Sequence, residues 1–193
     1  MRKAVDAAID AEIPYSDAVS LGLGKGMETI GELFNKGKIF LPQVVTASKV
    51  MEEAIHLLHP LCTNDDKTYR GTVVMGSVYG DIHEIGKSVC CAMLRGAGFN
   101  VVDLGSDVSP EEFVKAAKIH KADVVGGSAL MTTTLMSQKK LVETMKEFGS
   151  NAMIIFGGAP CTQEWVDKIG GDGYSASGSE IVGLVIRLTE GTP

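Results

Sequence analysis

The chain has 193 residues, 45% of them hydrophobic and 22% charged, with a formal net charge of −6. That length fits one or two small domains, and that apolar content excludes a disordered chain. The acidic balance excludes nucleic-acid binding through a broad basic face and a polybasic membrane anchor.

No stretch reaches the roughly 20 apolar residues of a membrane span. The longest uncharged run, 148–163, is broken by Gly149, Gly157, Gly158 and Pro160. Arg2 and Lys3 are followed by Asp6, Asp10 and Glu12, not by an apolar core, so no signal peptide is expected and the cytoplasm is the expected location. The cysteines at 62, 90, 91 and 161 form neither a CxxC pair nor a zinc spacing and read as reduced, mostly buried thiols.

Residues 1–59 carry no strand signal. Apolar residues recur at helical spacing from Ala18 to Phe34, and again from Val44 to Leu58. Gly37 falls in the turn between them, and Pro42 suits the first turn of the second helix. His59-Pro60 ends that helix, because the residue before a proline is pushed out of helical geometry. Asn64, Asp65, Asp66 and Lys67 read as a solvated linker. We therefore place a helical module over 1–65 and a second domain over 66–193.

From residue 71 the texture alternates. Strand-like runs are expected at Thr72–Ser77, Val101–Leu104, Val124–Ser128 and Met153–Phe156, with a weaker one near Tyr174. Helices are expected at about 84–96, 110–120, 135–148, 162–169 and 178–189. Strand–helix alternation with short glycine-rich connections predicts an α/β domain built on a five-stranded parallel sheet. The expected strand order is the flavodoxin-like 2-1-3-4-5, with helices on both faces. In such sheets ligands sit beyond the carboxyl ends of the strands at the switch point. That directs attention to the loops at 79–88, 128–134 and 157–160.

The first loop ends in Gly86-Lys87-Ser88, but a phosphate-binding P-loop would need glycine where Asp81 stands. His83 is the better centre. Imidazole ligates borderline metals, and a ligating histidine commonly donates its other ring N–H to a carboxylate, which Asp81 supplies two residues away. Gly86 lets the backbone approach a large ligand. In the second loop, Ser128, Thr132, Thr133 and Thr134 offer hydroxyls to a polar ligand edge, to Asp81, or to the cap of the following helix. Gly157 and Gly158 leave space beside a ligand or form a tight turn. His56-x-x-His59 has no further ligands nearby in sequence, the nine methionines are scattered through apolar positions, and Trp165 reads as packing.

Asp81-x-His83-x-x-Gly86, then Ser128-x-Leu130, then Gly157-Gly158 resembles the fingerprint of cobalamin (corrinoid) binding domains. Upstream, Gly26-Met27, Gly31, Phe34, Gly37 and Phe40-Leu41-Pro42-Gln43-Val44-Val45 are similar to the helical cap module of corrinoid methyltransferase proteins. Together these motifs cover nearly the whole chain in the order of that family, which includes the methylamine, methanol and O-demethylase corrinoid proteins and part of methionine synthase.

The resemblance implies a cobalamin or related corrinoid, as methylcobalamin or hydroxocobalamin, held base-off and His-on. His83 would be the lower ligand of cobalt and Asp81 its partner, with Thr134 in the place of a serine that extends the relay in methionine synthase. Ile82, Ile85 and Gly86 would lie in the same cofactor-binding loop. Ser128, Leu130 and Thr132 would line the slot for the displaced nucleotide tail, Gly157 and Gly158 would flank it, and Gly173-Tyr174 would close its end. Phe34, Leu41 and Val44 match cap residues that shield the upper face of the corrin.

The implied function is a methyl carrier, a carrier subunit and not a complete enzyme. Its partners would be a substrate:corrinoid methyltransferase, a corrinoid:acceptor methyltransferase and a reductive activation protein. A cobalamin-dependent sensor module and the small subunit of an adenosylcobalamin mutase are the alternatives the resemblance leaves open. The family's cap starts with a helix upstream of the segment recognised here, so either a three-helix bundle or a truncated one is expected, a less complete cap that a homodimer partner could complete.

Overall fold

The structure is a computed structural model that describes residues 1–58 and 69–190. The predicted helix end at His59-Pro60, the linker at 64–67, Cys62 and the boundary between 65 and 66 lie outside the described residues, as does His59 of the His56-x-x-His59 pair.

The chain opens with α1 (Arg2–Asp10), which the sequence reading did not place. A short turn of helix, α2 (Tyr15–Asp17), and a π-helix (Ala18–Gly24) lead into α3 (Lys25–Asn35). Then comes α4 (Leu41–Leu58). The helical module thus has α1 ahead of the two predicted segments. Val5 of α1 is buried against Ala54 and Leu58 of α4.

The second part follows the predicted alternation closely: β1 (Thr72–Ser77), α5 (Ile85–Gly96), β2 (Asn100–Asp103), α6 (Pro110–His120), β3 (Val124–Ser128), α7 (Leu135–Glu147), β4 (Met153–Gly157), α8 (Gln163–Ile169), β5 (Gly173–Tyr174) and α9 (Gly178–Glu190). All four strand pairings are parallel and the order is β2-β1-β3-β4-β5, as expected. Buried on both faces, β1 and β3 read as near-continuous apolar runs. One core lies under α6, α7 and α8 and includes Phe113, Leu141, Met145 and Phe156. The other lies under α5 and α9 and includes Leu94, Phe99, Ile155 and Val185.

Local chemistry sets the helix ends. Ser109 and Glu112 form a reciprocal capping box at the start of α6, with Pro110 in the first turn. The Thr162 hydroxyl accepts from the Trp165 N–H at the start of α8.

The helical module docks on α5. Met27, Val44 and Met51 pack with Val89 and Met93 in one apolar cluster. A Cβ at Gly31 would lie 2.2 Å from Met93 Cε, and one at Gly96 would lie 2.8 Å from Met27 Cβ. The seam is therefore methionine side chains filling gaps that glycines leave open, a use suited to their flexibility. Among the described residues, no helix is long and apolar enough to cross a membrane.

Candidate functional site

Asp81 organises the site. Its side chain is fully buried at the end of the loop after β1. One oxygen, Oδ1, accepts the His83 backbone N–H at 3.0 Å and the His83 Nδ1–H at 2.9 Å. The other, Oδ2, accepts the Leu130 N–H at 2.7 Å, the Met131 N–H at 3.3 Å and the Thr134 hydroxyl at 2.7 Å. Burial works to raise the pKa of this carboxyl. The hydrogen bonds from Thr134, the His83 and Leu130 N–H groups and the His83 ring outweigh burial and hold it well below the usual carboxylate range. Asp81 is thus an anion that can only accept, so His83 Nδ1 carries the shared proton. In the neutral ring, the free lone pair belongs to Nε2.

The loop is fixed from below. Ser77 Oγ donates to the His83 carbonyl at 2.6 Å. Gly80, at φ +83°, takes a turn conformation that a side chain would strain, and its N–H reaches Asp107 Oδ1 at 2.7 Å. The Asp107 N–H in turn donates to the Asp81 carbonyl at 2.9 Å. The ring is held by Asp81 but remains 45% exposed in its side chain. Ile82 and Ile85 beside it are strongly exposed, and Leu130 is exposed across from it.

His83 borders a cavity of about 850 Å³ that runs from this loop down the α5/α9 side of the sheet. Its wall includes the predicted Ile82, Ile85, Gly86, Ser128, Leu130, Gly157, Gly158 and Tyr174. Thr134 stands behind, on Asp81. Thr132 is exposed in the 3-10 turn Thr132–Thr134 and is not part of the wall. Gly173 pairs with Ile155, and a Cβ there would point at Leu184, 2.8 Å away. Val44 is buried in the seam with α5, and Phe34 packs against the same cluster. Leu41 is the first residue of α4.

The cavity also has walls that sequence reasoning missed: Met75, Lys87, Cys90, Gly126 and the turn Ser175–Gly178. The signal for one of them was present. Two adjacent glycines, 126 and 127, interrupt a strand, which marks close approach of another group. A Cβ at Gly126 would lie 2.3 Å from Met75 Sδ. Lys87 is buried and ion-paired with Asp103, whose carboxyl is opposed by burial but held low mainly by the Lys87 hydrogen bond. Burial pushes the Cys90 thiol up to about 11, so the cavity wall presents no thiolate near neutrality.

These features fit a corrinoid. Among the described residues, no three His, Cys, Asp or Glu side chains gather as a ligand set. A lone, oriented imidazole suits a metal that carries its other ligands with it. The exposed aliphatic residues around His83 suit a flat macrocycle, and the adjoining apolar cavity suits a long appendage.

The comparisons with known proteins point the same way. Two B12 binding domain profiles match the chain, one over residues 71–182 and the other over residues 1–59. Dimethylamine corrinoid protein 3 of Methanosarcina acetivorans is 44% identical over 180 residues, covering 92% of this chain and 84% of its own. Trimethylamine corrinoid protein 2 of the same organism is 41% identical over 188 residues, covering 95% and 87%. Among solved structures, the methanol:cobalamin methyltransferase complex MtaBC of Methanosarcina barkeri superposes with a TM-score of 0.85 at 32% identity, covering 98% of this chain and 73% of that one. The monomethylamine corrinoid protein of Methanosarcina barkeri gives 0.60 at 34% identity, covering 96% and 89%. With both profiles matched in chain order and relatives above 40% identity along almost its full length, this chain belongs to the B12-binding corrinoid proteins.

Proposed function

We propose that this chain is the methyl carrier of a corrinoid-dependent methyltransferase system, with His83 as the lower ligand of cobalt. The observation that carries the reading is the pairing of a half-exposed imidazole with a buried, fully hydrogen-bonded carboxylate at the mouth of the cavity. When bound, the corrinoid supplies a cobalt that accepts a methyl group from one partner and gives it to another. His83 offers Nε2 upward while Asp81 holds the proton on Nδ1. The Thr134 hydroxyl and the His83, Leu130 and Met131 backbone N–H groups keep Asp81 ionised, and the anion orients the ring and strengthens Nε2 as a donor.

In this reading Ile82, Ile85 and Leu130 support the macrocycle, and the cavity beside Gly126, Ser128, Gly157 and Gly158 takes the nucleotide tail. Residues 1–65 form the cap and 66–193 the corrinoid domain. The substrate-specific and acceptor methyltransferases dock on the His83 edge in turn. The methylamine and methanol systems of the relatives support partners of this kind.

The test is a visible spectrum after incubation with hydroxocobalamin and desalting. Wild type retains about one corrinoid per chain with the spectrum of an imidazole-ligated, base-off form. His83→Ala loses that spectral form and weakens retention about 10–100-fold. Identical spectra for the two proteins would remove His83 from the metal.

The cap, with Phe34, Leu41 and Val44, is assigned to shield the remaining face of the macrocycle, so it must shift before a partner can reach the metal. An engineered disulfide between α3 and α5 therefore stops methyl transfer in a reconstituted assay, and reducing that disulfide to two thiols restores it. Full turnover with the link intact would show that the cap does not need to move.

A further inference from the structure

We infer that Gln138 is a positioning residue for the tail-binding slot: it braces the carbonyl ends of Gly127 and Gly157 and so sets the spacing of the two strand ends that form the slot. The inference rests on the corrinoid reading above.

Gln138 is fully buried on α7, one helical turn beyond Thr134. Its Nε2 donates to the Gly127 carbonyl at 3.2 Å and to the Gly157 carbonyl at 3.1 Å. The Trp165 indole N–H donates to its Oε1 at 2.9 Å. An indole nitrogen only donates, so its partner is the amide oxygen, and the NH₂ group must face the two carbonyls. The orientation of Gln138 is therefore set by the same network it serves.

The Gly157 carbonyl also accepts the Ala129 N–H at 3.1 Å, so Gln138 adds a side-chain tie where the ladder ends. Gly127 and Gly157 sit on neighbouring strands, at the end of the β3–β4 ladder, where Ser128 opposite Gly157 is the last pair. Both line the cavity, and neither has a side chain to hold its spacing by packing. The chain then turns sharply at Gly158. Gln138 approaches from the α7 side, behind the sheet, while the cavity lies on the α5/α9 side. It touches the strand ends and is not part of the cavity wall. A buried amide is costly unless its hydrogen bonds are made, so an apolar residue would fill this position more simply if packing were its only task.

The experiment compares two probes, cobalamin and cobinamide, the second lacking the nucleotide tail. Wild type binding both gives the reference. Gln138→Leu is expected to weaken cobalamin about tenfold while leaving cobinamide within about twofold, because only the tail uses the slot. Trp165→Phe removes the indole donor alone and shifts the ratio in the same direction by a smaller factor, which keeps the test alive if Gln138→Leu does not fold. Gln138→Glu, which faces two carbonyls with a carboxylate, does not rescue. Equal weakening of both probes, or an unchanged ratio in both variants, would overturn the inference. A wild type that binds neither probe would overturn the corrinoid reading itself, and this inference with it.

Discussion

Asp81→Asn unfolds at lower denaturant than wild type, by about 2–4 kcal/mol, and binds hydroxocobalamin about 10–100-fold more weakly. The carboxylate receives five donors: the His83 backbone and ring N–H groups, the Leu130 and Met131 N–H groups and the Thr134 hydroxyl. An amide has one acceptor oxygen, and its NH₂ would face donors on the other side. At least one backbone N–H is then left buried without a partner, and the imidazole loses the anion that fixes its tautomer.

The pH dependence has a defined sign. The Asp81 pKa is depressed in the folded state, so the stability it contributes is fully present above its unfolded value near pH 4 and is lost as pH falls through the depressed value. The gap between wild type and Asp81→Asn is therefore flat from about pH 5 to 8 and narrows below about pH 4. Urea unfolding of both proteins at pH 7, 5 and 3 measures it. A gap that widens on acidification would show that Asp81 is not the ionised hub described here.

The second large effect belongs to Gly158. It lies at φ +118°, a region closed to residues with a side chain, and a Cβ there would lie 1.8 Å from the Ala129 carbonyl oxygen. Both groups are backbone, so neither can step aside by changing rotamer. Gly158→Ala must push the β3 and β4 ends apart, at a cost of about 3 kcal/mol or more. For a chain of this size that lowers the melting temperature by about 6–12 °C. Gly86→Ala is the matched contrast. A Cβ at Gly86 meets nothing within 4 Å, so stability stays within about 0.5 kcal/mol of wild type. Because Gly86 lines the cavity, that variant should lose corrinoid affinity without losing fold. Thermal scans with and without hydroxocobalamin separate the two, and a Gly158→Ala protein that melts with wild type would refute the close approach.

The α/β part was legible because its signals are local. Apolar runs of four to six residues, each followed by a helical pattern, placed every strand within a residue or two, and the parallel order followed from connection chemistry. The α1 helix escaped because its apolar face is short, with Val5 as its one buried residue. The His83–Asp81–Thr134 triplet could be expected from spacing and resemblance, and the structure brings these three together. Met75 and the turn after β5 could not, because they share a wall through the sheet and not through sequence. Gln138 was hidden for another reason: a glutamine on a helix looks like surface until the helix is placed against the strand ends.

The cavity closes on pieces made late. His83 and Asp81 belong to the first crossover, yet Tyr174 and Ser175–Gly178, after the last strand of the sheet, complete the opposite wall. A nascent chain emerging from the ribosome would carry His83 for some 90 residues of synthesis before the wall at 174–178 existed. On the proposed reading, a corrinoid could be retained only once the sheet is whole, and a fragment ending before residue 174 would lack one wall of the slot.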